Sequence, residues 1–177
     1  MVDAIGLRGQ WMGAIEMLAG DAAAAQREFQ EAVEFFRGTG DLYLLTSQEA
    51  ELARALWAQS LFEEAEQFSR SSEAHAGPED LMAQAQWRQT RALVLASEGR
   101  MVEAEQVARE AIDVLTDTDF TWMRSLGYET LGIVLEMGGD PPGAVGAFHQ
   151  ALDAWERKGN LVSAELLRKR IRGLTSP

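Results

Sequence analysis

The chain has 177 residues, 28 acidic against 16 basic, and a formal net charge of -12 at pH 7. A body this acidic repels phosphate backbones, which argues against nucleic acid as a partner, and the lack of cysteine excludes disulfides and thiolate metal sites. Neither a signal-peptide-like start nor an uncharged apolar stretch of roughly 18 residues occurs, so the expectation is a cytoplasmic protein that does not enter a membrane.

Apolar residues recur at three- and four-residue spacing from end to end, as in Leu52, Ala55 and Leu56, then Phe62, Ala65 and Phe68, which is the helical period. In chain order this predicts helices near 3–19 and 22–37, 42–58 and 62–76, 81–98 and 101–116, 120–137 and 141–158, and a last one over 161–173. Asp41, Asp80, Asp119 and Asn160 stand where a short oxygen side chain caps the amides of the following helix. Pro78 falls between elements, and Pro141 and Pro142 open a helix, where a missing amide hydrogen costs little.

The pairs are copies of one unit. Turn residues Gly20, Ser60, Gly99 and Gly139 are followed five places later by Ala25, Ala65, Ala104 and Ala144, with steps of 40, 39 and 40 residues. Seven residues further on each copy is small again (Ala32, Ser72, Ala111, Ala151), as it is twelve before the first alanine (Gly13, Ala53, Ala92, Gly132). Self-similarity at such a period marks a solenoid. The expected fold is therefore all-α, a right-handed α-solenoid of four hairpins at about 3–38, 41–77, 80–118 and 119–159 plus a capping helix at 161–173, in a single domain over 1–177. Small residues mark helix crossings, with Gly132 expected to face Ala144, and Phe29, Phe36, Leu56, Phe68, Leu95, Val107, Leu115, Leu135, Phe148 and Trp155 fill the core.

The pairs Met12-Gly13, Leu52-Ala53 and Leu131-Gly132, the turn glycines, and the alanines within "EAE" at 64–66 and 103–105 resemble tetratricopeptide repeats, whose usual period is about 34. Departures are Arg91 in place of a leucine before Ala92, aromatics kept in the second helix only at Phe29 and Phe148, no closing proline, and the longer period. With "LMAQAQWRQTRALVLASEGRMVEAE" and "WERKGNLVSAELLRKR", the chain is similar to the C-terminal repeat regions of large bacterial signalling ATPases. The resemblance implies a sensing or scaffolding arm beside a nucleotide-cyclase or DNA-binding head that is not in this sequence.

Chemistry is sparse. Neither G-x-x-x-x-G-K nor G-x-G-x-x-G occurs, and His75 and His149 lack partners at ligand spacing, so no metal, cofactor or catalytic residue is expected. The basic stretch Arg168 to Arg172 is a docking patch or a complement to a helix C-terminus. The repeat register projects Gln10, Ala14 and Met17, then Ser47, Ala50, Arg54 and Trp57, then Gln86, Gln89 and Leu93, then Leu126, Glu129, Ile133 and Glu136 onto a concave groove. Such a mixed apolar and amide face fits a helical or extended protein segment, or adjoining domains of the same chain. Glu129 and Glu136, seven residues apart on one face, are the pair a carboxylate-based hydrolase would use.

The two ends are expected to differ. The last helix carries one apolar stripe of Ala164, Leu167, Ile171 and Leu174 and a charged outer face, as a cap should. In the first, Ile5, Leu7, Trp11, Met12, Ile15 and Leu18 span more of the circumference than one neighbour covers, with Val2 and Met17 beyond. That face predicts a preceding repeat in a longer chain or a homodimer, and a freestanding self-associating adaptor is the alternative function.

Overall fold

The computed structural model describes the backbone of residues 3–176 and the side chains of residues 6–176. Among these the fold is all-α, with no strand: α1 Asp3–Ala19, α2 Ala22–Thr39, α3 Leu42–Ala58, α4 Phe62–His75, α5 Leu81–Ser97, α6 Met101–Asp113, α7 Thr121–Met137, α8 Pro141–Lys158 and α9 Leu161–Thr175. Each helix packs on the one before it along the whole chain. In addition α3 packs on α5 and α5 on α7.

The aligned turn residues share one backbone state. Gly20, Gly99 and Gly139 have φ near +80°, and Ser60 takes the same left-handed conformation at +63° although it has a side chain to clash. Asp41, Asp80 and Asn160 cap α3, α5 and α9 through the amides of Leu44, Ala83 and Ser163. Asp21 and Asp140, each directly after a turn glycine, do the same for α2 and α8. Asp119 does not cap α7: the helix begins one residue later than expected, which puts Phe120 at the capping position with no side-chain oxygen to offer.

Within each pair the helices approach closely at the small residues. A Cβ built on Gly132 would lie 2.4 Å from the Phe148 ring, and one on Gly13 would lie 2.5 Å from the Phe29 ring. The atoms nearest the missing Cβ of Gly132 thus belong to the Phe148 ring rather than to Ala144, because the bare backbone leaves room for the ring. Both rings are fully buried. Of the remaining expected core, Phe36, Leu56, Leu95, Leu115, Leu135 and Trp155 are buried, and Phe68 and Val107 are partly so.

The last helix lays Ala164, Leu167 and Ile171 against α8, with Leu174 packed beside them. Its outer face is less polar than expected, since Leu161, Val162 and Leu166 are exposed.

Gly132→Leu is expected to destabilise the fold by about 1 to 3 kcal/mol or more, by overfilling the crossing. Glu64→Ala, on an exposed position, should leave the urea midpoint where it was. The double change Gly132→Ala with Phe148→Ala should recover part of what Gly132→Ala loses alone. Additive losses in that cycle would separate the two residues.

Candidate functional site

The projected groove residues divide into two sets. Ser47, Ala50, Gln86, Gln89 and Leu93 are buried, the last three at 7%, 2% and 0% exposure, and do not line an open face. They lie where the first helices of successive pairs meet. The Gln89 side-chain amide donates to the Met123 carbonyl of α7, the Thr90 hydroxyl to the Ala50 carbonyl of α3, and the Gln86 amide to Glu51. Trp57 belongs to the same joint: its indole N–H donates to Ser97 Oγ at 2.8 Å and to the Leu93 carbonyl at 3.1 Å. A polar side chain pointing from one first helix toward the next has satisfied a neighbouring helix instead of meeting a ligand.

The second set remains partly open: Gln10 and Met17 on α1, Arg54 on α3, and Leu126, Glu129, Ile133 and Glu136 on α7 are half-buried, while Ala14 is exposed. Glu51 joins them, although the sequence projection left it out. Burial raises the Glu51 carboxyl above its ordinary value, with Arg54 and the Gln86 hydrogen bond opposing it. Burial likewise raises Glu129, against the opposing charges of Arg54 and Arg170 and the hydrogen bond that Glu129 accepts from the Trp155 indole. Arg54 therefore acts on carboxylates of two different pairs. Glu136 is tied to Arg170 of α9 at 2.8 Å. Both carboxylates of the suggested hydrolase pair are thus engaged by neighbouring side chains.

The first helix presents the other candidate surface. Leu7, Trp11, Ile15 and Leu18 are exposed at 38%, 67%, 55% and 44%, along one stripe of α1, with Met12 half-buried beside it. Ile5 and Val2 lie outside the described side chains. Equivalent positions of later copies behave oppositely at the centre of the stripe but not at its end, where the counterparts of Leu18 are Ala58 and Met137, both exposed, and Ser97, half-buried. Where α1 has Ile15, the others have Ala55, Val94 and Val134, at 0%, 0% and 1% exposure, and where it has Trp11, α5 and α7 have Thr90 and Thr130, at 2% and 0%.

His75 is not a ligand in waiting. Its Nδ1 lies 2.8 Å from a fully buried carboxylate, Glu49, which also accepts from Arg37 and Ser71, so one acidic group ties α2, α3 and α4 together. His149 is exposed. Among the described residues no group of three or more His, Asp or Glu is placed to hold a metal, and no helix is long and apolar enough to cross a membrane.

No family model matches the chain, and no curated protein matches it either. Among solved structures it is similar to BtubC (BKLC) from P. vanneervenii, with a TM-score of 0.52 at 13% identity over 98% of this chain and 89% of that one. Likeness at this identity speaks to the helical fold alone.

Two measurements probe the site. Trp57→Ala should cost about 2 to 4 kcal/mol, since it vacates a packed joint and removes the indole hydrogen bond to Ser97 and Leu93; an unchanged urea midpoint would return Trp57 to the open face. The second concerns Glu129. A raised folded-state value means the stabilising protonated form is fully present below the ordinary 4.5 and is lost as pH rises through the folded value. Glu129→Gln, which stays neutral and still accepts from Trp155, should melt higher than the parent at neutral pH, and the gap should close toward pH 4.5. A lower melting point at neutral pH would mean that Arg54 and Arg170 outweigh burial.

Proposed function

We propose that the chain is a non-catalytic protein-interaction or regulatory module, a right-handed α-solenoid of four tetratricopeptide-like hairpins closed by α9. In this reading it works as the C-terminal sensing arm of a bacterial signalling ATPase, cyclase or transcription regulator, and catalysis belongs to another domain. The observation that carries it is the bare stripe of Leu7, Trp11, Ile15 and Leu18, at the centre of which the counterparts of Ile15 (Ala55, Val94, Val134) and two of those of Trp11 (Thr90, Thr130) are covered. In a one-dimensional stack each unit buries its neighbour's face, so an uncovered face of this composition is a joint without its partner. A preceding pair or an adjoining domain of a longer chain fills that role. The half-open strip of Arg54, Leu126, Glu129, Ile133 and Glu136 supports the same reading, as a surface for a helical or extended segment.

A second reading, a freestanding adaptor that self-associates as a homodimer, is favoured by the same stripe. Sedimentation of the chain beside Trp11→Glu tests it. The parent should self-associate at micromolar concentration, and the variant should run as a monomer with unchanged far-UV circular dichroism. A parent that stays monomeric and fully soluble would remove α1 as an association face.

A further inference from the structure

A cleft of about 490 Å³ opens away from the groove, between the start of α7 and the second half of α8, where α6 runs out. Its lining includes Arg124 and Tyr128 of α7, Gln150, Arg157 and Lys158 of α8, and Thr116 beyond α6, and no carboxylate. That volume suits a small molecule rather than a flat macromolecular contact.

The charge is the unusual part. The chain carries 28 acids against 16 bases, and most cations on it are matched, with Arg88, Arg91, Arg109, Arg168 and Arg170 among those that pair with a glutamate, whereas Arg27, Arg54 and Lys169 do not. Among the described residues Arg124, Arg157 and Lys158 form no ion pair with any carboxylate, yet all three line this one cleft. Arg124 is held in place by donating through Nη1 to the Thr116 carbonyl at 3.0 Å, with the Leu115 carbonyl at 3.5 Å. Its remaining guanidinium donors are free for a ligand. Three cations converging without an anion repel one another, and a bound anion removes that cost. Helix termini account for part of this, because Arg157 and Lys158 also complement the C-terminal end of α8. Arg124 has a similar role against the carbonyls just past the end of α6, and what these roles leave unexplained is that all three cations line one cleft with no carboxylate.

We propose that this cleft binds a small phosphate-bearing molecule, with Arg124, Arg157 and Lys158 taking the phosphate and Tyr128 and Gln150 supplying neutral hydrogen bonds. Guanidinium groups match phosphate oxygens in pairs, and a lysine adds a point charge. An occupant would bridge α7 to the end of α8 and stabilise the folded chain in proportion to its concentration.

The test is calorimetric titration with inorganic pyrophosphate at fixed ionic strength, alongside melting curves. Saturable one-to-one binding is expected. The double variant Arg157→Gln with Lys158→Gln, both exposed positions, should weaken it by about tenfold or more, since it removes two of the three charges that would hold the phosphate. Arg27→Gln with Lys169→Gln removes the same charge elsewhere and should leave binding unchanged. Should the double variant melt early without ligand, Tyr128→Phe replaces it and should cost about fivefold. Absent or non-saturating binding, or equal binding by both double variants, would overturn the proposal. So would binding of a phosphoserine peptide with no response to pyrophosphate, which would make the surface a protein-recognition site.

Discussion

The structure depends on how closely the two helices of a pair can approach, and each copy meets that limit with a different division of volume. In the first and fourth, glycine at the crossing (Gly13, Gly132) receives a buried phenylalanine from the partner helix (Phe29, Phe148). In the second and third, the first helix has alanine instead (Ala53, Ala92), and the position equivalent to the ring is Ser69 or Ala108, both buried. The large residue appears only where the opposite backbone is bare. Close packing makes this an exchange, since a methyl added on one side must be matched by atoms removed from the other.

Given that spacing inside a pair, the joints between pairs inherit their chemistry from what faces outward. At the α3–α5–α7 seam this is a set of amides, hydroxyls and indoles donating to carbonyls: Gln89 to Met123, Thr90 to Ala50, Trp57 to Leu93. At the α2–α3–α4 seam it is the buried carboxylate of Glu49, with Arg37, Ser71 and His75 around it. Removing Arg37 takes away the permanently charged partner of a fully buried carboxylate, so the seam specifies register as much as it adds stability. Arg91, which stands where the resembled repeats have leucine, pairs with Glu66 across α4 and α5 and so does a similar job.

This explains which parts were legible in the sequence. Period, turns and small crossing residues are local or self-repeating signals, and they placed the helices closely enough for Ser60 to be aligned with three glycines before its positive φ was visible. The Asp119 cap failed because periodicity does not resolve a helix start to one residue. The groove failed at Gln86, Gln89 and Leu93 for a different reason. Register says which way a side chain points, but not whether the next helix has already closed over it, and an amide satisfies a neighbouring carbonyl as well as a ligand. Arg124, Arg157 and Lys158 stand at opposite ends of one pair, at positions that the other copies do not repeat, so only the folded chain brings them to one cleft.

The ends of such a stack are its least determined part. Each internal pair has one face covered by the unit before it and one by the unit after it, and the residues on those faces are either small and apolar, such as Ala55, Val94 and Val134, or polar with a partner on a neighbouring helix, such as Gln89 and Thr90. A repeat carries the same pattern wherever it stands, so the first copy exposes what the others bury unless its sequence has been altered toward polarity. Ile15 and Trp11 go the other way, being larger than Ala55, Val94 and Val134, or than Thr90 and Thr130, at the equivalent positions. Bulk at an uncovered joint adds nothing to the isolated fold and raises the apolar area in water by the full side chain. The last helix does not close the opposite end completely either, because the stripe that buries Ala164, Leu167 and Ile171 leaves Leu161, Val162 and Leu166 outside. Larger apolar residues at one open joint and a half-closed cap at the other support the proposed reading, in which the terminal faces serve for contact rather than for display to solvent.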